Sequence, residues 1–361
     1  TGIIVYKNYY KIDKTSSNKD YLKELEYAYN NILNSYVEKV DEKELTNAAI
    51  KGMYNYLGDP YTSYLDKDST DNLMDRLKGE YKGIGVEITT NESGTVVMTV
   101  FENSPAEEAG IMVGDIITKV KGVDVNGKTT SEVSNMIKST NGNVEIEVNR
   151  GGITKTLTLK VSTVSIKSVV KNKYDKTGYL RIETFSNTTY KQFKESLETL
   201  EKDGIENLIV DVRNNGGGFL NSAVEIAELF VEKGKPIYGL QTKDKKEMYK
   251  DTTKEKRDYK VIVLINGGSA SASEVLAAAL KESYGATLLG TKSYGKGTVQ
   301  DTSELESGGM IKYTTAYWLT PKGVTINEKG LTPDIEVTGS FKDDMTLEND
   351  VELQTAINNL K

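Results

Sequence analysis

Val261-Ile262-Val263-Leu264-Ile265 runs directly into Asn266-Gly267-Gly268-Ser269-Ala270-Ser271-Ala272-Ser273-Glu274. Five aliphatic residues in a row, rich in β-branched types, read as a strand buried on both faces. The Gly, Ser and Ala residues that follow make a tight turn, and residues 273–282 continue as a helix. The same order occurs upstream: Leu208-Ile209-Val210-Asp211-Val212 passes through residues 214–218 into an amphipathic run over 220–231, and residues 287–290 supply a third strand. Strand, turn and helix in series predict parallel βαβ units with ligand chemistry at the carboxyl ends of the strands.

Working outward, residues 79–164 have another texture. Short β-rich runs (Val86-Glu87-Ile88, residues 95–101 and 144–148) alternate with Gly, Asn and Asp; Ser104-Pro105-Ala106-Glu107 opens a short helix that ends at Gly110, and residues 116–120 form a strand. Before it, Leu22, Leu25, Tyr29, Ile32, Leu33 and Tyr36 mark one helical face. Leu45, Ala49, Ile50, Met53 and Leu57 mark a second, stopped by Gly58-Asp59-Pro60. Leu353, Ala356, Ile357 and Leu360 mark a terminal helix. The divisions are therefore a helical N-terminal segment (1–78), a small β-rich domain (79–164), an α/β core (165–340) and a C-terminal helix (341–361).

The composition excludes much chemistry. Among 361 residues there is no His and no Cys, so a Ser-His-Asp triad, a thiol nucleophile and the usual His/Cys zinc sites are impossible. A formal charge of −7 without any sustained basic run argues against nucleic acid as a partner. No apolar stretch approaches the roughly 20 residues of a membrane-spanning helix. The opening Thr1-Gly2-Ile3-Ile4-Val5-Tyr6 reads either as a first strand or as the remnant of something removed upstream.

A nucleophile in this chain must recruit Lys or a carboxylate. A Ser hydroxyl in Ser269-Ala270-Ser271-Ala272-Ser273 would stand at a strand end beside free helix N–H groups. The plainer alternative is that small residues there only permit close helix–sheet packing. Ser293-Tyr294-Gly295-Lys296-Gly297-Thr298-Val299-Gln300 alters the balance, because its Lys follows a strand of the same predicted sheet, one crossover beyond the serines. A Lys acts as a base only when neutral, and burial can bring its pKa to roughly 7–8. Gln300 could orient the amine without adding charge. Asn214-Asn215-Gly216-Gly217-Gly218, with the N–H of Ala272, offers donors for a tetrahedral oxyanion, although three glycines also suit a simple tight turn.

These motifs resemble the S41 family of carboxyl-terminal processing (tail-specific) proteases. Gly58-Asp59-Pro60-Tyr61-Thr62-Ser63-Tyr64-Leu65, Tyr81-Lys82-Gly83-Ile84-Gly85-Val86, Asn103-Ser104-Pro105-Ala106, Asp211-Val212-Arg213-Asn214-Asn215-Gly216-Gly217-Gly218, Gly295-Lys296-Gly297-Thr298-Val299-Gln300, Trp318-Leu319-Thr320-Pro321 and Lys329-Gly330-Leu331-Thr332-Pro333-Asp334 fall in that family's order. The resemblance implies Ser271 as nucleophile, Lys296 as base, Gln300 as its orienter, and an oxyanion hole from Ala272 and one glycine, taken as Gly217. It implies a ClpP/crotonase-like parallel-sheet core with an inserted PDZ domain, whose Gly83, Ile84, Gly85 and Val86 would hold a peptide carboxylate.

The resemblance further implies a serine endopeptidase working through an acyl-enzyme, without metal or organic cofactor, on proteins with free, unstructured C-terminal tails. It also implies an extracytoplasmic location, a homodimer built through the terminal helices, and room for a membrane tether upstream of Thr1. The competing expectation is a catalytically silent PDZ scaffold that binds protein tails; a crotonase-like acyl-CoA enzyme would share the core but leave the insert unexplained.

Overall fold

The computed structural model describes residues 3–6, 19–339, 341 and 346–361. Thr1 and Gly2 of the expected opening strand, residues 7–18 and 342–345 of the terminal segments, and residue 340 at the end of the core lie outside the described residues. The chain forms two compact units: residues 78–167 make one, and the flanking stretches 1–77 and 168–361 together make the other.

The larger unit is organised on a six-stranded sheet in the order Val169–Tyr174, Thr177–Ile182, Asn207–Asp211, Lys260–Ile265, Thr287–Gly290 and Ile335–Glu336. Its first pair is antiparallel and all later pairs are parallel. Alternation along the strands sends successive side chains to opposite faces. Leu208, Val210, Val261, Val263 and Ile265 pack with Phe193, Leu197, Ile226, Val275 and Leu276 of three helices, Thr189–Lys202, Leu220–Glu228 and Ala272–Ala279. Ile209, Ile262 and Leu264 pack on the other side against Leu353, Ala356 and Leu360 of the terminal helix Val351–Leu360. Both faces are thus covered, which is why the strands carry no polar alternation.

A second sheet went unread in the sequence. It runs Ile3–Tyr6, Thr298–Glu304, Met310–Leu319, Pro236–Gln241 and Lys246–Lys250, with Ser63–Leu65 also pairing on Met310–Leu319. The N-terminal segment is therefore not helical alone. Besides the helices Lys19–Ser35, Glu42–Tyr56 and Lys67–Lys78 it lends two strands to this sheet. Those pairings span most of the chain, and local periodicity carries no signal for them.

The smaller unit is built on a six-stranded antiparallel sheet, Val86–Asn91, Gly94–Val100, Ile116–Val120, Asn143–Arg150 and Ile153–Lys160 in that order, with Val123–Asp124 as the sixth strand pairing on the third; Glu80–Gly83 and Ser162–Ser165 form a separate antiparallel pair. Val97, Ile117, Val144, Ile146 and Val148 meet Val133 and Ile137 of helix Thr130–Lys138 in its core. Thr129 and Glu132 cap that helix reciprocally. Asp115 and Arg150 join two of its segments by a bidentate pair at 2.6 and 2.7 Å.

Candidate active site

Strand Lys260–Ile265 ends in a turn that enters helix Ala272–Ala279 through Ser271, whose φ of 61° and ψ of −117° are rare for a residue with a side chain. Such a conformation costs of order 1–3 kcal/mol and persists where the surroundings impose it. Here they do so from both sides. The Ser271 N–H donates to Glu274 Oε2 at 2.8 Å, and the Ser271 carbonyl accepts from the N–H groups of Glu274 and Val275.

The three serines are treated differently. Ser269 Oγ donates to the Val212 carbonyl at 2.8 Å and accepts from Asn266 N–H at 3.0 Å. Ser273 Oγ donates to the Asn215 carbonyl at 2.8 Å. Ser271 Oγ is buried and has no hydrogen-bond partner among the described residues. Two hydroxyls therefore bind this turn to the turn after the neighbouring strand, and the middle one is left over.

Glu274 links the serine to the lysine, a role that sequence reasoning missed. Its carboxylate, fully buried, accepts from the N–H groups of Ser271, Gly295 (2.7 Å) and Lys296 (3.0 Å) and from Ser293 Oγ (2.5 Å). Burial pushes this carboxyl up, and those hydrogen bonds oppose the rise. The backbone of Lys296 is further held by the only tryptophan, whose Nε1 donates to its carbonyl at 2.7 Å. The sequence signal was present in the Glu that follows Ser271 by three positions, but the residues it would bond are set only by the crossover.

Lys296 is 3% exposed, and its Nζ lies over the Tyr61 ring, 4.0 Å from the centroid. Burial first and the Lys312 charge second bring its pKa from 10.5 down to about 8, against the upward pull of Asp59 and Glu274. Gln300, on strand Thr298–Glu304, is fully buried: its Nε2 donates to Thr298 Oγ1 (2.9 Å) and Thr314 Oγ1 (3.1 Å), and its Oε1 has no partner among the described residues.

The glycine turn abuts the serine. A Cβ placed on Gly217 would lie 2.8 Å from Ser271 Cβ and 3.0 Å from the Ala272 nitrogen, and Gly217 has φ +97°, so no larger residue fits. The Ala272 N–H opens its helix, where no preceding helical carbonyl can take it. The Gly217 N–H, by contrast, donates to Asn215 Oδ1 at 2.8 Å. Among the described residues no cluster of three or more acidic side chains is placed to hold a metal.

In the smaller unit Gly83 closes strand Glu80–Gly83, Ile84 is buried, and Val86 begins the edge strand Val86–Asn91. The carbonyls of Ile84 and Gly85 are tied inward by the N–H groups of Ala106 (2.8 Å) and Phe101 (3.0 Å). Beside them a cavity is lined by Tyr81, Ile84, Val86, Ile88, Ser134 and Ile137, an apolar cleft between strand edge and helix.

Comparison with known proteins bears on both units. Residues 176–337 match the model of peptidase family S41, residues 6–69 that of the activating protease CtpB N-terminal domain, and residues 83–161 that of the PDZ domain. A solved structure, the photosystem II D1 C-terminal processing protease, is 30% identical, with 89% of this chain and 87% of that one covered at a TM-score of 0.52. The chain belongs to peptidase family S41. Probable CtpA-like serine proteases of Staphylococcus haemolyticus and Staphylococcus aureus are similar to this S41 chain at 36% and 38% identity over 90% and 91% of its length. The chain spans 66% of the length of each of those relatives.

Proposed function

We propose that this S41 chain is a serine endopeptidase of the carboxyl-terminal processing kind, with Ser271 as nucleophile and Lys296 as general base. The observation that carries it is the isolation of Ser271 Oγ: it alone of the three hydroxyls is unspent, on a strained strand-to-helix turn braced through Glu274 to a lysine of depressed pKa. Neutral Lys296 takes the Ser271 proton as Oγ bonds to the scissile carbonyl carbon. The resulting ammonium gives that proton to the leaving amine as the C–N bond breaks. Water, deprotonated by the same amine, then cleaves the acyl ester. Gln300 Oε1 accepts from Lys296 and aims it. Ala272 N–H and an amide of the glycine turn hold the oxyanion. For Gly217 to be that amide, Asn215 Oδ1 must release it.

The same proposal gives residues 79–164 the part of a PDZ domain, with 1–78 and 341–361 as dimerising segments around a protease core over 165–340. Gly83, Ile84, Gly85 and Val86 receive the free carboxylate of a protein tail. The enzyme acts outside the cytoplasm as a homodimer and needs no cofactor. Incubating the chain and its Ser271→Ala variant with a panel of unstructured peptides, read by mass spectrometry, tests the chemistry: cleavage by the first and none by the second is expected. Equal cleavage would remove Ser271 from the mechanism, and no cleavage by either, with peptide still bound, would favour the silent scaffold.

A further inference from the structure

Gln300 can aim Lys296 only if the oxygen end of its amide, not the nitrogen end, faces the amine. The two ends have nearly the same shape, so their partners must decide between them. Thr298 Oγ1 and Thr314 Oγ1 both meet Nε2, but a hydroxyl donates as readily as it accepts, and these contacts alone settle nothing.

Asp59 settles it. Its Oδ2 stands 2.5 Å from Thr314 Oγ1 and 2.6 Å from Thr62 Oγ1, and its Oδ1 accepts from Tyr61 N–H at 3.0 Å. Burial pushes this carboxyl up, but the Thr314 and Thr62 hydroxyls and the Tyr61 N–H outweigh burial and hold it below the usual range. An ionised carboxylate only accepts, so the Thr314 proton points at Asp59. The lone pairs of Thr314 are then left to receive Gln300 Nε2, and Oε1 becomes the free end.

We propose that Asp59, acting through the Thr314 hydroxyl, is a positioning residue that fixes the orientation of the Gln300 amide so that its oxygen faces Lys296. The proposal rests on Lys296 being the base. A buried carbonyl oxygen without a donor costs about 1–3 kcal/mol, which points to a donor that arrives in part of the cycle. The Lys296 amine is that donor, now resting on the ring of Tyr61 in the same turn as Asp59. The charged and titratable groups around Lys296 are Asp59, Glu274 and Lys312, with the Tyr61 phenol and, bonded to it, that of Tyr294.

The test is a double-mutant cycle on the whole chain, with fluorescein-labelled casein as substrate, circular dichroism melts for each variant and Ser271→Ala as control. Thr314→Val removes the hydroxyl without touching a charge. It is expected to lower kcat on the order of tenfold with KM little changed. The acid limb of kcat/KM should move to lower pH, because the ammonium loses its acceptor. Thr314→Ser restores both. In a Gln300→Ala background Thr314→Val should cost nothing more, since its effect passes through the missing amide. An acid limb unmoved in Thr314→Val, or losses that add in the double variant, overturns the relay while a silent Ser271→Ala leaves the nucleophile standing. If Ser271→Ala cleaves casein at the parent rate, the assignment of the site falls and the relay with it. Should Thr314→Val fail to fold, Asp59→Asn carries the same cycle, read on kcat at a pH above the acid limb because the lost charge moves that limb by itself: its effect on kcat must vanish in the Gln300→Ala background, and losses that add overturn the relay.

Discussion

Lys296 concentrates the functional consequences at the scale of a single residue. Its pKa of about 8 predicts that kcat/KM climbs through neutral pH with a midpoint near that value, since only the neutral amine takes a proton. A rate flat from pH 6.5 to 9.5, with chemistry limiting, would contradict it. The same displacement bears on stability. The folded value lies below the unfolded 10.5, so the unfolded chain binds more protons between about 8 and 10.5, and stability rises with pH across that window. Lys296→Met is therefore expected to raise stability at pH 7 by on the order of 2 kcal/mol, a gain that shrinks as pH passes 10; urea melts at the two pH values measure it. Ser271 adds a second contrast. Ser271→Gly should abolish cleavage while stabilising the fold by about 1 kcal/mol, because glycine adopts φ +61° without strain.

At the scale of elements, two strand-end turns are stitched into one surface. Ser269 reaches the Val212 carbonyl, Ser273 and Ala270 reach that of Asn215, and Asn266 and Asn214 exchange bonds at 2.9 Å. Ser269→Ala deletes two hydrogen bonds and Ser273→Ala one, all positioning this surface, and the proposed mechanism gives neither hydroxyl a chemical step. Each is expected to cost roughly 1–2 kcal/mol in a denaturant melt and to leave most activity. Gly217→Ala is different in kind, since its Cβ would press on Ser271 and on the Ala270 carbonyl, both at 2.8 Å. Peptide cleavage should fall by at least tenfold in that variant; activity near the parent level would show that the glycine turn stands clear of the reacting atoms.

At the scale of the whole molecule, the terminal helix is fastened to the largely parallel sheet by one buried guanidinium. Arg213, next to the glycine turn, pairs with Asp211 (2.6 Å), Asp350 (2.7 Å) and Glu352 (2.6 Å) and stacks 4.0 Å from the centroid of Phe341. Removing one partner from such a set leaves charge buried without compensation. Arg213→Ala is expected to lose about 3–5 kcal/mol, with the peptide amides of 351–360 exchanging first in a hydrogen-exchange experiment. In the smaller unit, the proposal that the N–H groups of Ile84, Gly85 and Val86 hold the free carboxylate of a protein tail predicts that amidating the C-terminus of a bound peptide weakens capture by the intact chain at least tenfold. Equal affinity for the free and amidated peptides would assign the cleft another ligand.

The sequence by itself determined what is local. Aliphatic runs ending in Gly- and Ser-rich turns wrote the parallel sheet, the spacing of Leu45, Ala49 and Met53 marked helix Glu42–Tyr56, and the absence of His and Cys left a nucleophile only Lys or a carboxylate to recruit. Helix Val351–Leu360 stands where periodicity put it because it buries one consistent face, and strand Thr287–Gly290 stands where its apolar run put it, with Leu288 and Leu289 buried on opposite faces of the sheet. Tertiary structure alone decided which serine hydroxyl stays free, since Ser269, Ser271 and Ser273 look alike until the carbonyls of Val212 and Asn215 arrive from another strand. It alone joined Asp59 to Thr314, Tyr61 to Lys296 and Ser63–Leu65 to Met310–Leu319. A hydrogen bond or a strand pair between distant segments leaves no period in either one. Its partner is chosen by how the chain closes on itself.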